Sequence, residues 1–230
     1  MKTSQLHTYR DNYKLKEHQK ILLKYISNSY GSKFQGNILD IGCATGVLLN
    51  AIKKKIKNSV LLGVDTSADL IRKAKSQDIL DSNFLKKDFM KLNSKFKFDI
   101  VIAAGVLAFY DDFTLPLNKM LSLLKKEGSL YVIGTFNSKN IDTLVKFRNN
   151  YTNSNWETGL NSYSIETISK FLKKKKVKYS FKKFQIPINL KQKKNPIISY
   201  TLTVNNKKKI LLNDANIRME LFFLIIKKVI

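Results

Sequence analysis

Asp40 and Asp65 each close a short apolar run, Asp88 ends the short stretch Asn83–Lys87, and Gly42 and Gly46 follow the first of the three. A carboxylate at the end of a parallel strand can accept hydrogen bonds from ligand hydroxyls or an amino group, and a glycine turn lets backbone approach that ligand closely. In Ile38-Leu39-Asp40-Ile41-Gly42-Cys43-Ala44-Thr45-Gly46 an apolar strand ends in an acid and runs straight into such a turn. A dinucleotide loop of the usual Gly-x-Gly-x-x-Gly form needs a middle glycine, where Ala44 stands, and a third glycine at a spacing this run lacks. No Gly-Lys-Ser/Thr follows, so a P-loop is excluded.

The sign of the charge narrows the ligand further. Asp40 beside a pyrophosphate would set one anion against another, whereas it suits a nearby ammonium or sulfonium. The predicted ligand is therefore S-adenosylmethionine. Asp65, in Gly63-Val64-Asp65, is placed to accept from both ribose hydroxyls. Hydrogen bonds to a charged acceptor contribute about 1.5–3 kcal/mol each, so this residue carries much of the expected affinity. Asp88 is placed for the adenine amino group and Phe89 for the ring.

These residues require strands and helices in alternation. Strands are expected at 37–41, 60–64, 83–87, 98–103 and 129–134. Helices are expected over 6–30, from Val47 to Ile56, after a Ser67 cap, and around Leu117, Met120, Leu121 and Leu124. Beyond the fifth strand, residues 136–162 are polar and aromatic and hold the single Trp. Ser164 then caps a helix, a sixth strand covers 179–188, a hairpin turns at 205–207, and 220–226 closes the chain as the last strand. The fold class is α/β, a Rossmann-like doubly wound sheet. The expected organisation is a single domain: an N-terminal helical cap (1–34), a cofactor core (35–135), a substrate lid (136–163), and a C-terminal helix, hairpin and last strands (164–230).

The run 38–46, Gly-Val-Asp at 63–65, and Phe98-Asp99-Ile100-Val101-Ile102 with Ala103-Ala104-Gly105-Val106-Leu107 resemble the motifs of class I S-adenosylmethionine-dependent methyltransferases. The resemblance covers about residues 35–135. It implies a seven-stranded sheet with a reversed last strand. It also implies a cofactor held by Asp40, Gly42, Cys43, Ala44, Gly46, Asp65, Thr66, Asp88, Phe89, Ala104 and Gly105. The stretch from Phe136-Asn137 to Trp156-Glu157-Thr158-Gly159-Leu160-Asn161 resembles methyltransferases found with bacterial surface-glycan biosynthesis genes.

Methyl transfer from a sulfonium is an in-line displacement on an activated carbon, and positioning supplies much of the acceleration. A general base is needed only for a poorly nucleophilic acceptor. The candidates are Asp111 and His18; their alternative roles are a helix cap and a solvated helix face. Relatives place a histidine after the fourth strand, and Phe109 stands near that place. Candidate acceptor residues are Tyr13, Tyr110, Tyr151, Trp156 and Asn161. Trp156 either packs over a sugar or aglycone ring or forms the core of a lid. The Asn/Asp-Pro-Pro-Tyr run that grips planar amino nitrogens is absent, and Cys43, in the cofactor loop, is no nucleophile for cytosine C5 chemistry.

The formal net charge is +25, yet only four of the 42 basic residues are Arg: Arg10, Arg72, Arg148 and Arg218. A phosphate-reading surface would use more Arg forks. Heavy joint use of Lys, Asn and Ile, all with A/T-rich codons, points instead to genomic background. With one cysteine no internal disulfide forms, and with two histidines a Cys/His metal site is not expected. No apolar leader follows Met1 and no run approaches the roughly 20 apolar residues of a membrane helix, so the expected location is cytoplasmic. The expected activity is methylation of a small molecule such as a sugar or glycan precursor. The alternatives are an RNA methyltransferase using the lysine surface and an inactive cofactor-binding partner subunit.

Overall fold

The computed structural model describes residues 13–93, 95–148, 150, 155–193, 197–205, 208–215 and 217–229. The chain begins with α1 (Glu17–Tyr30), followed by β1 (Asn37–Ile41), α2 (Val47–Lys55), β2 (Val60–Asp65), α3 (Ala68–Lys75) and β3 (Ser82–Lys86). Then come β4 (Phe98–Ala104), α4 (Thr114–Ser122) and β5 (Leu124–Asn137). Three two-residue strands, β6 (Lys146–Phe147), β7 (Glu157–Thr158) and β8 (Tyr163–Ser164), precede α5 (Ile165–Lys173) and β9 (Val177–Phe184). The last elements are β10 (Tyr200–Val204), β11 (Lys208–Leu212), β12 (Arg218–Met219) and β13 (Leu221–Lys228).

The main sheet runs β3-β2-β1-β4-β5-β13-β9, with β8 added beside the end of β5. The strands from β3 to β5 are parallel, and β13 is antiparallel to both β5 and β9. This is the expected doubly wound sheet with a reversed last strand. The order reverses at β1 and β4, and in such sheets the crevice at that switch point takes the ligand. The central strands are apolar on both faces because helices cover both. One face buries Ile38, Ile100 and Ile102 against Leu22 and Ile26 of α1 and Leu48, Leu49 and Ile52 of α2. The other buries Leu39, Val101 and Leu130 against Leu117 and Met120 of α4 and Ile168 and Leu172 of α5.

Local chemistry sets the element ends. The Ser67 and Ser164 hydroxyls accept from the Leu70 and Thr167 N–H groups and cap α3 and α5, as expected. At the edge of the sheet away from the switch-point crevice, Asp99 Oδ2 accepts from the Asn37 N–H (2.7 Å) and from Lys125 Nζ (2.8 Å). The Tyr30 hydroxyl bonds the Ser129 hydroxyl (2.8 Å) and pins α1 to β5. Lys53 is buried on α2, and its ammonium donates to the Ser59 carbonyl and Asp81.

Several boundaries differ from expectation. Among the described residues α1 begins at Glu17 rather than residue 6. The fifth strand begins at Leu124, ahead of Gly128, through a register shift opposite Phe98 to Ile100 in which Glu127 takes φ 62°. The sixth expected strand ends at Phe184, and a third short strand, β12, joins the hairpin of β10 and β11. No helix among the described residues is long and apolar enough to cross a membrane.

Candidate functional site

The turn after β1 is built by backbone geometry. Gly42 adopts φ 72°, and a Cβ there would lie 2.9 Å from Val106. The Gly42 and Cys43 N–H groups donate to the Val64 carbonyl, which binds the turn to the end of β2. Ala44 takes φ 50° and Gly46 takes φ 77° at the start of α2. Glycine bears such angles at little cost, whereas Ala44 needs a compensating contact. Its N–H donates to Asp65 Oδ2 (3.1 Å), while Asp65 Oδ1 accepts from the Ser67 N–H (2.9 Å). Asp65 thus ties the glycine turn to the cap of α3.

Beside this turn opens a cleft of about 80 Å³, lined by Gly42, Asp65, Thr66, Asp88, Phe89, Gly105 and Tyr110 among others. Seven residues expected to meet the ligand therefore share one cleft, Tyr110 from the acceptor set among them. Asp88 Oδ1 accepts from the Met90 N–H (3.0 Å), so it also caps the short turn carrying Phe89. The Phe89 and Tyr110 rings meet edge-to-face at 6.1 Å. Burial and the Asp88 carboxylate push the Tyr110 phenol up to about 12. Val106, Phe109 and Lys87 complete the wall. None of these three stood among the expected cofactor residues; the signals for them were the place of Val106 in the run 103–107 and of Phe109 after the fourth strand.

Asp40 is buried. Burial and the nearby Asp65 charge push its carboxyl up to about 8. Cys43 is buried in the core under α2, and burial, then Asp40 and Asp65, push its thiol up. Cys43 does not line the cleft. Ala44, Gly46 and Ala104, also expected to hold the cofactor, do not line the cleft.

The expected catalytic and acceptor residues fall elsewhere. Asp111 is half-exposed and ion-paired with Lys146; hydrogen bonds from Lys146 and Asn161 hold its carboxyl below the usual range, against some desolvation. The helix-capping role falls to Asp112, whose Oδ1 accepts from the Thr114 N–H (2.8 Å). His18 packs edge-to-face on Phe184 at 6.2 Å, and burial and Lys16 hold its imidazole down at about 4. It is a packed side chain rather than one on a solvated helix face, and neither it nor Asp111 lines the cleft. Tyr13 is exposed, and Tyr151 lies outside the described residues. Trp156 is 65% exposed, with the Arg148 guanidinium 5.4 Å from its ring centre, so it is not the core of a lid.

Asn161 is fully buried. Its Oδ1 accepts from the Val145 N–H (2.7 Å), and its Nδ2 donates to the Tyr110 carbonyl (2.9 Å) and Asp111 (3.2 Å). Its backbone N–H bonds the Ala108 carbonyl, and its carbonyl accepts from the Thr135 hydroxyl. The amide therefore joins the 138–163 segment to the aromatic wall of the cleft and meets protein groups in place of an acceptor.

A family model described as a methyltransferase domain matches residues 33–185. The chain is 32% identical over 112 residues to malonyl-[acyl-carrier protein] O-methyltransferase 1 of Ilyobacter polytropus, covering 48% of this chain and 41% of that protein. It is 27% identical over 157 residues to malonyl-[acyl-carrier protein] O-methyltransferase of Priestia megaterium, covering 68% and 55%. The chain thus spans about half the length of the curated relatives it matches. Among solved structures, the 1,6-didemethyltoxoflavin N1-methyltransferase of Burkholderia thailandensis superposes with a TM-score of 0.64 at 12% identity, over 97% of this chain and 84% of that one.

Proposed function

The chain belongs to the methyltransferase-domain family, and from that premise we propose that it transfers a methyl group from S-adenosylmethionine to a small-molecule acceptor by in-line displacement. The observation that carries this reading is the convergence of Gly42, Asp65, Asp88 and Phe89 on one cleft at the switch point of the sheet. Asp65 offers about four acceptor positions as a carboxylate, so the Ala44 and Ser67 N–H groups do not by themselves preclude the ribose hydroxyls. Asp88 serves the adenine amino group, and Phe89 and Tyr110 flank the ring. Asp40, buried behind the turn, takes up negative charge when a nearby cationic ligand favours its ionised form. The cofactor, when bound, supplies an electrophilic methyl group, and this chain's own residues orient it and exclude water. The narrow cleft calls for outward movement of Val106 and Phe109 as the cofactor enters.

With Asp111 tied to Lys146 and His18 packed on Phe184, the reading needs no side-chain base. That favours an acceptor which is already nucleophilic or already ionised. A sugar or glycan precursor is the acceptor class suggested by the resemblance across residues 136–161. The curated relatives name a malonyl group on acyl-carrier protein instead.

Calorimetry tests the reading. S-adenosylmethionine and its demethylated product should bind and NAD should not. NAD binding without binding of either sulfur ligand overturns it. A tRNA titration with a steep loss of affinity between low and moderate salt would move the acceptor to RNA. Binding of the cofactor with no turnover of any offered acceptor would favour a non-catalytic subunit.

A further inference from the structure

Two cavities lie away from the cofactor cleft, on either side of the Arg218–Glu220 strip that leads into β13. One, of about 380 Å³, is formed where the end of β9 meets β11 and this strip. The other, of about 270 Å³, lies between the strip and the end of β5 with the segment that follows it. Arg218 and Glu220 line both, so the strip forms a ridge between them.

The charges on these walls are lopsided. Lys183, Lys209 and Arg218 line the first cavity and Lys139 the second, and Glu220 is the one carboxylate among the described residues on either wall. Glu220 is already committed. Burial alone would raise its carboxyl, but the ion pair with Lys183 and the bonds from the Ser138 N–H and hydroxyl (3.3 Å each) outweigh it and hold it low. That pair cancels in charge. Lys209 donates to the Pro187 carbonyl but keeps its positive charge. Lys139, Lys209 and Arg218 remain as three uncancelled cations around the ridge.

Arg218 stands out within this chain. Of the other described arginines, Arg72 pairs with Asp69 and Arg148 sits over Trp156. The Arg218 guanidinium has no hydrogen bond, ion pair or ring contact with another described residue. A guanidinium fork suits a tetrahedral oxyanion, and three cations suit a dianion better than a single carboxylate.

The place also fits the chemistry. β13 is two strands from β4, and strands are spaced about 4.8 Å apart, so β13 runs about 10 Å across the sheet from β4, and the ridge leads into the end of β13 that pairs with the end of β5. We propose that the Arg218 ridge is a binding site for a phosphoryl group of the acceptor, which makes the acceptor a phosphorylated small molecule. This rests on the methyl-transfer reading and deepens it.

Inorganic pyrophosphate is the probe, titrated calorimetrically into the whole chain at moderate salt. R218A should weaken it at least tenfold, R218K by less, and K54A, a remote lysine on α2, not at all. Malonate, a dianion of carboxylates, should bind at least tenfold more weakly than pyrophosphate. Equal pyrophosphate affinity in R218A and K54A would show diffuse surface charge and overturn the site. Malonate binding as tight as pyrophosphate would overturn the phosphoryl assignment. K139A, a change at an exposed side chain, decides the matter in the same way if R218A does not fold. Affinity for the demethylated cofactor is measured in each variant and should not change. Its absence in the unmodified chain would refute the methyl-transfer reading, and pyrophosphate binding stands or falls separately.

Discussion

The cofactor side and the acceptor side of the molecule are held together by different means. From β1 to β4 the polar groups of the site are fixed by backbone: Asp65 grips two N–H groups, Asp88 caps a turn, and Gly42 leaves room for Val106. Among the described residues from 138 to 163 the strands are two residues long, Ile141, Leu144 and Trp156 are exposed, and the buried Asn161 amide ties the segment to the cleft wall. The first region is built to a fixed shape that a constant ligand can use. The second is held by side-chain bonds of Asn161 and Asp142 and leaves apolar side chains exposed.

Substitutions can break or sharpen this contrast. The largest effect is expected from Asp65→Ala. It removes the partner of the strained Ala44 and two charge-assisted bonds to ribose, which at about 1.5–3 kcal/mol each predicts a loss of cofactor affinity of about 100-fold or more by calorimetry. Unchanged affinity would show that the two regions do not divide the ligands in this way. Asn161→Ala comes next. It strands the Val145 N–H and the Tyr110 carbonyl and should cost about 3 kcal/mol in denaturant unfolding, with a smaller loss of cofactor affinity. If cofactor affinity falls as far as for Asp65→Ala, the two regions are one unit.

Asp40 offers a test by pH. Its carboxyl is raised from the ordinary range to about 8 in the folded chain, so the unfolded chain gives up its proton first. Its contribution to stability is present in acid and is lost as pH rises from about 4 through about 8. Asp40→Asn should flatten that decline in a denaturation series. A cationic ligand favours the ionised form, so cofactor affinity should rise from pH 6 to 8 in the natural chain and stay flat in the variant. The smallest effect is expected from Trp156→Ala: less than about 0.5 kcal/mol in stability, as for exposed sites generally. A drop in kcat/KM with unchanged stability would place Trp156 against the acceptor.

What could be read from residue order follows the same divide. β1, β2 and β4 are mostly apolar runs closed by Asp or Gly, so their positions, and the cleft residues at their ends, follow from local pattern. The start of β5 is hidden because Lys125, Lys126 and Glu127 are polar and the pairing slips there. Asn161 reads as an acceptor contact because a buried amide and a ligand-binding amide look alike until its three side-chain partners are placed. The Arg218 ridge depends on β9, β11 and β13 meeting across more than thirty residues of chain, which no local pattern encodes.

The antiparallel last strand has a consequence for how the chain is made. β13 sits between β5 and β9 with Leu224 and Ile226 fully buried, so both neighbours present open edges until residues 221–228 have left the ribosome. Synthesis runs from the N-terminus, so the cofactor core can begin to collapse well before its own sheet is complete. The nascent chain must pass through a stage with two unpaired edges, the kind of surface that joins neighbouring chains. Lys178, Lys182 and Lys183 along β9 keep such edges apart by charge during that interval.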